Sequence, residues 1–173
     1  MVNICLQTAG LHVAISAYLH AFDAQTARFF APHPADTAAI HSFYDDPLNR
    51  GWCALDEVSG SLQGYAILRL DVTMHDRDRM AGYGFRLDGR IDASFAPSVA
   101  AAARGTGLAD ELWLRVLADA RAHGRRRIFL WGGVKAENHR AIRFYERLGF
   151  IRIGTFFHEG DNIDMVYLVD GRN

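Results

Sequence analysis

Between Ile91 and Gly149 the chain alternates strand-forming and helix-forming patterns twice, and this alternation narrows its fold more than any other feature. "IDASFAPSV" (91–99) has the composition of a strand. From Leu108 onward, Leu112, Val116, Leu117 and Ala120 fall on one face of a 3.6-residue spiral, and Gly124 stands where a left-handed cap closes a helix. The spacing predicts a helix over about 106–123. "RRRIFLWGGV" (125–134) then reads as a buried strand, and "ENHRAIRFYERLG" (137–149) as a second helix, with Asn138 near its start and Gly149 past its end. Strand, helix, strand and helix in this order make a right-handed crossover unit. Pro97 removes one ladder donor from the first strand, so it must lie at an edge, a bulge or a splayed end.

The flanking sequence completes a mixed architecture. Residues 11–30 place Leu11, Ile15, Tyr18, Leu19, Phe22 and Phe29 at mostly helical spacing before "APHPAD" breaks the chain, which predicts one helix, kinked or split near Asp23. Residues 36–44 allow a short helix capped by Asp36. "GWCALDEVSGSLQGYAILRLDV" reads as a hairpin with strands near 51–56 and 62–72. Residues 73–90 mix charges and glycines without a clean period and read as a long loop or as strand extensions around one; "HDRDR" within it, and "RRR" at 125–127, read as solvated charges. "FIRIGTFFHEGDNIDMVYLV" is a closing hairpin around "HEGDN". With no repeat or linker, the expectation is one α/β domain over residues 1–173, a mixed sheet with helices on its faces.

Composition excludes several functional classes. The 173 residues carry nineteen basic and twenty acidic side chains, a formal net charge of −1, and no basic tail for counterion release, which argues against nucleic acid. Cys5 and Cys53 fit neither a disulfide framework nor a thiolate metal spacing and read as reduced, buried thiols. No segment reaches the roughly 20 apolar residues that span a bilayer, and the N-terminus lacks the charge pattern of a signal peptide, so the expected setting is cytoplasmic with no membrane partner. "HEGD" is not H-E-x-x-H, and no metal site is expected.

The stretch "ARGTGLADEL" (103–112) puts two glycines before the first secure helix, a setting in which backbone amides and the helix dipole suit a phosphate. A dinucleotide, a nucleoside triphosphate, coenzyme A, or a plain strand-to-helix turn would each account for it. A G-x-G-x-x-G fingerprint fails at Asp110, and a G-x-x-x-x-G-K-S/T loop fails for want of a nearby lysine. What remains is R-x-x-G-x-A, formed by Arg104, Gly107 and Ala109. Downstream, Asn138, Ala141, Phe144, Tyr145, Gly149 and Phe150 stand at N-x-x-A-x-x-F-Y-x-x-x-G-F spacing. These two motifs, in this order and separated by one helix and one strand, resemble the signatures of the GNAT superfamily of acyl-CoA-dependent N-acetyltransferases.

That resemblance implies a central, mostly antiparallel sheet with a splayed parallel pair, here 91–99 and 126–134, and acetyl-CoA as acyl donor. Val99 and Ala101 would offer backbone groups to the pantetheine amides. Gly105, Thr106, Gly107, Leu108 and Ala109 would surround the pyrophosphate, with Arg104 opening the loop. Asn138 would bond the pantetheine arm or cap its helix, and Tyr145 would protonate the departing thiolate. If the start of the strand at 125–127 is adjacent, Arg125 to Arg127 would lie near the adenosine 3′-phosphate. Asp92, Asp71, His158 and an ordered water are candidates for the general base. Phe43, Tyr44, 73–90 and 156–163 would shape the acceptor side. The chain departs from the family pattern in "VAAAA" before the loop arginine and in Gly132-Gly133. The implied partner is a small-molecule amine, and a homodimer is compatible with the resemblance. A non-catalytic acyl-CoA sensor or assembly module, and an enzyme acting on a protein amine, are the competing readings.

Overall fold

The structure, a computed structural model, describes Met1–Gly171. In chain order its elements are β1 (Val2–Leu6), a 3-10 turn (Ala9–Leu11), α1 (His12–His20), α2 (Ala24–Phe29), α3 (Thr37–Asp45), β2 (Asn49–Asp56), β3 (Leu62–Arg69) and α4 (Met74–Gly82). There follow β4 (Asp92–Val99), a 3-10 turn (Ala101–Ala103), α5 (Leu108–Ala122), β5 (Arg127–Leu130), β6 (Val134–Lys135), α6 (His139–Leu148), β7 (Ile151–Phe157) and β8 (Asp161–Leu168). The residues group into two compact units, Met1–Leu68 with Ala96–Asp119, and Arg69–Phe95 with the chain from Ala120 onward. Among the described residues no helix is long and apolar enough to cross a membrane.

In the first unit the strands follow the order β1, β2, β3 and the second half of β4. β1 and β2 are antiparallel, and Cys5 lies directly opposite Cys53. Both thiols are free; Cys53 is buried as expected, whereas Cys5 is only half-buried because β1 has no further strand outside it. The predicted break near Asp23 is real. Its carboxylate accepts the Thr26 amide at 2.6 Å and so starts α2 as a separate helix. Asp36 starts α3 in the same way, accepting from Ala39 at 2.8 Å. Ile15, Ile40, Tyr65, Ile67, Leu112 and Val116 are fully buried. Their burial, at about 25 cal/mol per Å² of apolar surface, is the main stabilising term here.

The second unit contains one parallel pair, β4 with β5, running from Asp92 opposite Arg127 to Phe95 opposite Leu130. β8 lies antiparallel to β5, β6 and β7. The ladder between β4 and β5 ends as the Trp131 amide donates to the Phe95 carbonyl at 2.9 Å. Pro97, two residues further along β4, therefore falls where no ladder donor from that residue is required. The expected single strand at 125–134 is divided, because Gly132 and Gly133 both take positive φ and separate β5 from β6. At Gly133 the backbone also approaches closely: an added Cβ would lie 2.8 Å from the Phe156 ring and 2.9 Å from the Ile163 carbonyl.

The segment 73–90 differs most from its expectation. It begins with α4 rather than a loop or strand extensions. Only Asp76 and Met80 of this helix are buried, one turn apart, so its inward face is half apolar and half ionic and leaves no hydrophobic period to detect. Met80 and Val72 form a core with Phe129 and Val166, against which Phe85, Leu87 and Ile153 pack. Strand β3 accordingly ends at Arg69 rather than near 72.

Candidate active site

The loop that opens α5 is built by its own backbone. Beyond Val99 the Ala100 amide donates to the Gln63 carbonyl at 2.8 Å, which holds the end of β4 against β3. Gly105 and Gly107 take φ of +79° and +89°, a region that L side chains avoid, while a Cβ at either would meet nothing within 4 Å. The glycines are thus required by chain direction, and the space beside them is open. Thr106 fastens the turn, its hydroxyl donating to the Ala103 carbonyl at 2.8 Å and accepting from the Leu108 amide at 3.4 Å. The Gly107 carbonyl accepts from Asp110 and Glu111 at 3.0 and 3.1 Å, so the first helical bonds start at that glycine. Arg104 donates to the Thr26 hydroxyl at 3.3 Å. With Val99 and Ala101, Arg104 lines a cavity of about 600 Å³ that also meets Tyr18 and Phe22. A cationic side chain, an open glycine turn and the positive end of a fifteen-residue helix fit a phosphate-bearing cofactor.

Helix α6 belongs to the other unit. The Asn138 side chain accepts from the Ala141 amide at 3.2 Å and caps the helix, and its Nδ2 donates no hydrogen bond among the described residues. Gly149 closes the helix in the left-handed conformation. Tyr145, two turns beyond the cap, is buried, with its ring against Phe95, Phe144 and Phe150 at centroid separations of 6.5, 5.4 and 5.4 Å. Among the described residues nothing hydrogen-bonds its hydroxyl. Burial pushes this phenol well above its ordinary value near 10, so it is protonated throughout the neutral range.

The candidate bases are placed very unequally. Asp92 is fully buried and committed, bonding Arg127 at 2.6 and 2.9 Å and the Asp88 amide at 2.7 Å. Asp71 pairs with Arg77 at 2.6 Å and accepts from the Val72 amide. His158 is exposed. The arginines of 125–127 are not simply solvated charges, because Arg127 is the partner of Asp92 and Arg125 donates to the Gly89 carbonyl. "HDRDR" departs further from its reading. Arg79 donates to Asp164 at 2.7 and 2.9 Å and to Asp76 at 2.7 Å while stacking on Phe156. A second network absent from the sequence reading joins His33, Tyr65 and Tyr44. Its members are 11 to 32 positions apart, and no motif in the sequence pairs them.

Comparison with known proteins identifies the class. The model of the acetyltransferase (GNAT) family matches residues 18–150, and the chain belongs to that family. No curated protein gives a significant match. Among solved structures, the acetyltransferase yncA of Salmonella typhimurium, determined with its cofactor acetyl-CoA, superposes with a TM-score of 0.74 at 21% identity, covering 100% of this chain and 96% of that one. An N-acetyltransferase of Staphylococcus aureus gives 0.72 at 20% identity, over 98% of this chain and 99% of its own. A spermidine N-acetyltransferase SpeG chimera from Vibrio cholerae and hSSAT gives 0.68 at 21%, over 98% and 96%. These likenesses establish a mixed α/β acetyltransferase fold, and the donor that goes with this family is acetyl-CoA.

Proposed function

We propose that residues 1–173 form one N-acetyltransferase domain that moves an acetyl group from acetyl-CoA directly to an amine of a small molecule. The observation that carries this reading is the loop 104–109, whose two left-handed glycines turn the chain into the N-terminus of α5 beside Arg104. The amides of Gly105 to Ala109 and the Arg104 guanidinium hold the pyrophosphate, and the backbone of Val99 and Ala101 holds the pantetheine amides. Asn138 contributes the free end of its amide to the same arm while continuing to cap α6.

Bound acetyl-CoA supplies the thioester. The amine nitrogen, its ammonium proton first removed by a base or ordered water, forms a bond to the acetyl carbon and sheds its second proton to solvent; the carbon–sulfur bond breaks, Tyr145 gives its phenolic proton to the sulfur, and the phenolate regains one from solvent. A phenol without a protein partner and kept neutral by burial is suited to that role. Neither cysteine is needed. Cys53 is held as a thiol, pushed up to about 12 by burial. The presence of both the loop and Tyr145 supports turnover over a sensor that only binds.

Thiol release with acetyl-CoA and a panel of amines tests the reading. Tyr145→Phe is expected to lower turnover by about 100-fold, within the range of general-acid effects, with the coenzyme A dissociation constant retained. Unchanged turnover removes Tyr145 from the mechanism. Gly107→Glu places a charge and a forbidden φ in the loop and is expected to abolish coenzyme A binding. Stabilisation by coenzyme A without thiol release from any amine, including peptide N-termini, favours the sensor.

A further inference from the structure

We infer that Tyr44, Tyr65 and His33 form a proton relay that carries the proton released by the acceptor amine to the His33 imidazole. The inference rests on the acetyltransferase reading and supplies the base that Asp92 and Asp71, both tied to arginines, are poorly placed to be.

The direction of the relay is set by its last bond. His33 Nδ1 lies 2.9 Å from the Pro34 carbonyl, which only accepts, so Nδ1 carries the hydrogen in the neutral ring. Nε2, 2.9 Å from the Tyr65 hydroxyl, is therefore the acceptor, and Tyr65 donates. Having spent its hydrogen on His33, Tyr65 accepts from the Tyr44 hydroxyl, its other hydrogen-bond partner. All three groups then point one way, and the Tyr44 oxygen keeps a lone pair at the start of the chain.

The surroundings tie this chain to the reaction. The Tyr65 carbonyl accepts from Ser98 at 3.2 Å, and Ser98 in turn accepts from Tyr18 at 3.1 Å. The backbone of Tyr65 is thereby tied to the residue before Val99, on the length of β4 beyond its ladder with β5. Tyr65 is fully buried on β3, and Gly51 on β2 leaves the room that the Tyr44 hydroxyl occupies, since a Cβ there would fall on it. The rings around the chain are Phe30 and Phe43, with His12 stacked on Tyr44.

The proton balance is simple. An acceptor ammonium gives one proton to the Tyr44 oxygen, directly or through water. Tyr44 passes its own proton to Tyr65, and Tyr65 passes its own to His33 Nε2. A neutral amine and an imidazolium result, both phenols are restored, and half-exposed His33 returns the proton to solvent. Burial lowers the His33 imidazole from 6.5, the Pro34 carbonyl works the other way, and His12 on α1 lowers it further, so at neutral pH it can accept. The other titratable groups facing the chain are Cys53 on β2, beside both phenols, and His41 and Asp45 on α3, which act on His12.

The test uses acetyl-CoA with spermidine, glucosamine and phenethylamine as acceptors, following kcat/KM from pH 5.5 to 10. Tyr65→Phe, and Gly51→Ala as a variant that retains all three relay residues, are expected to lose about 100-fold at pH 7 and to approach the parent as pH nears the amine's own pKa. A loss of equal size at every pH, or none, overturns the relay. If the parent releases thiol with no amine, the acetyltransferase reading fails instead. Nitrogen-15 spectra of His33 then decide the relay on their own: the Nδ1–H tautomer and a His33 titration displaced in Tyr65→Phe are expected, and the opposite tautomer or an unmoved titration overturns it.

Discussion

The buried polar groups around Tyr65 are neutral, whereas those around Asp164 are ionic. In the first region phenols, an imidazole and the Ser98 hydroxyl satisfy one another one hydrogen bond at a time. In the second, Arg79 holds two almost fully buried carboxylates, Asp76 also receives the Thr73 hydroxyl and the Gly132 amide, and Tyr83 donates to Asp164. Burial works against the Arg79 charge, but the bonds and charges of Asp164 and Asp76 outweigh it and hold the guanidinium more basic than usual. A neutral network can yield one bond without stranding a charge. An ionic one cannot, because removing the cation leaves like charges facing each other away from water.

The largest expected effect follows from this. Arg79→Met conserves much of the apolar stem over Phe156 and removes only the charge and its donors, and it is expected to cost about 3–5 kcal/mol of unfolding free energy by urea denaturation. A cost under about 1 kcal/mol, the value of an exposed pair, would mean that Asp76 and Asp164 are hydrated and that the contrast between the regions is false.

The same contrast explains what the sequence revealed. Helices α5 and α6 were legible because apolar residues at helical spacing, the Asn138 cap and the closing Gly124 and Gly149 all agreed. The loop was legible because its glycines sit at fixed offsets from Arg104 and Ala109. Helix α4 was not, because Asp76 occupies a core position that pattern reading assigns to solvent until Asp164, which shares Arg79 with it from 85 residues beyond that arginine, is known. Gly132-Gly133 read as an interruption of the strand; its cause, the proximity of Phe156 and the Ile163 carbonyl, lies in the last hairpin. The Tyr44–Tyr65–His33 chain was illegible for the same reason, since separation in sequence hides contacts that tertiary packing creates. Phe43 and Tyr44 had been expected to shape the acceptor side, but nothing in the spacing tied Tyr44 to His33.

Titration separates the regions by a second criterion. Burial raises Tyr18 to about 12 and raises Tyr44 and Tyr65 well above their ordinary value near 10. A phenol whose folded value exceeds its unfolded value contributes stability that is complete below pH 10 and is lost as pH rises through the folded value. The unfolded chain sheds protons first, so each such phenol steepens the decline by at most about 1.4 kcal/mol per pH unit. Urea unfolding at pH 9, 10 and 11 should therefore show a falling free energy, with a shallower fall in Tyr44→Phe than in the parent. An equal slope would mean that Tyr44 ionises freely in the folded state and does not belong to a neutral network.

The smallest effect is expected at Tyr18, which tests whether the neutral region really yields bond by bond. Its hydroxyl donates to Ser98, and Ser98 spends its own hydrogen on the Tyr65 carbonyl. Tyr18→Phe therefore removes a donor from an oxygen that retains its other hydrogen bond, and the ring can stay against Phe22, 4.9 Å away between centroids. The expected cost is about 1 kcal/mol, that of one ordinary hydrogen bond, read from the urea midpoint at pH 7 with an unchanged slope. A cost approaching that of Arg79→Met would show that Tyr18, Ser98 and Tyr65 fail together, and the neutral region would then be as brittle as the ionic one.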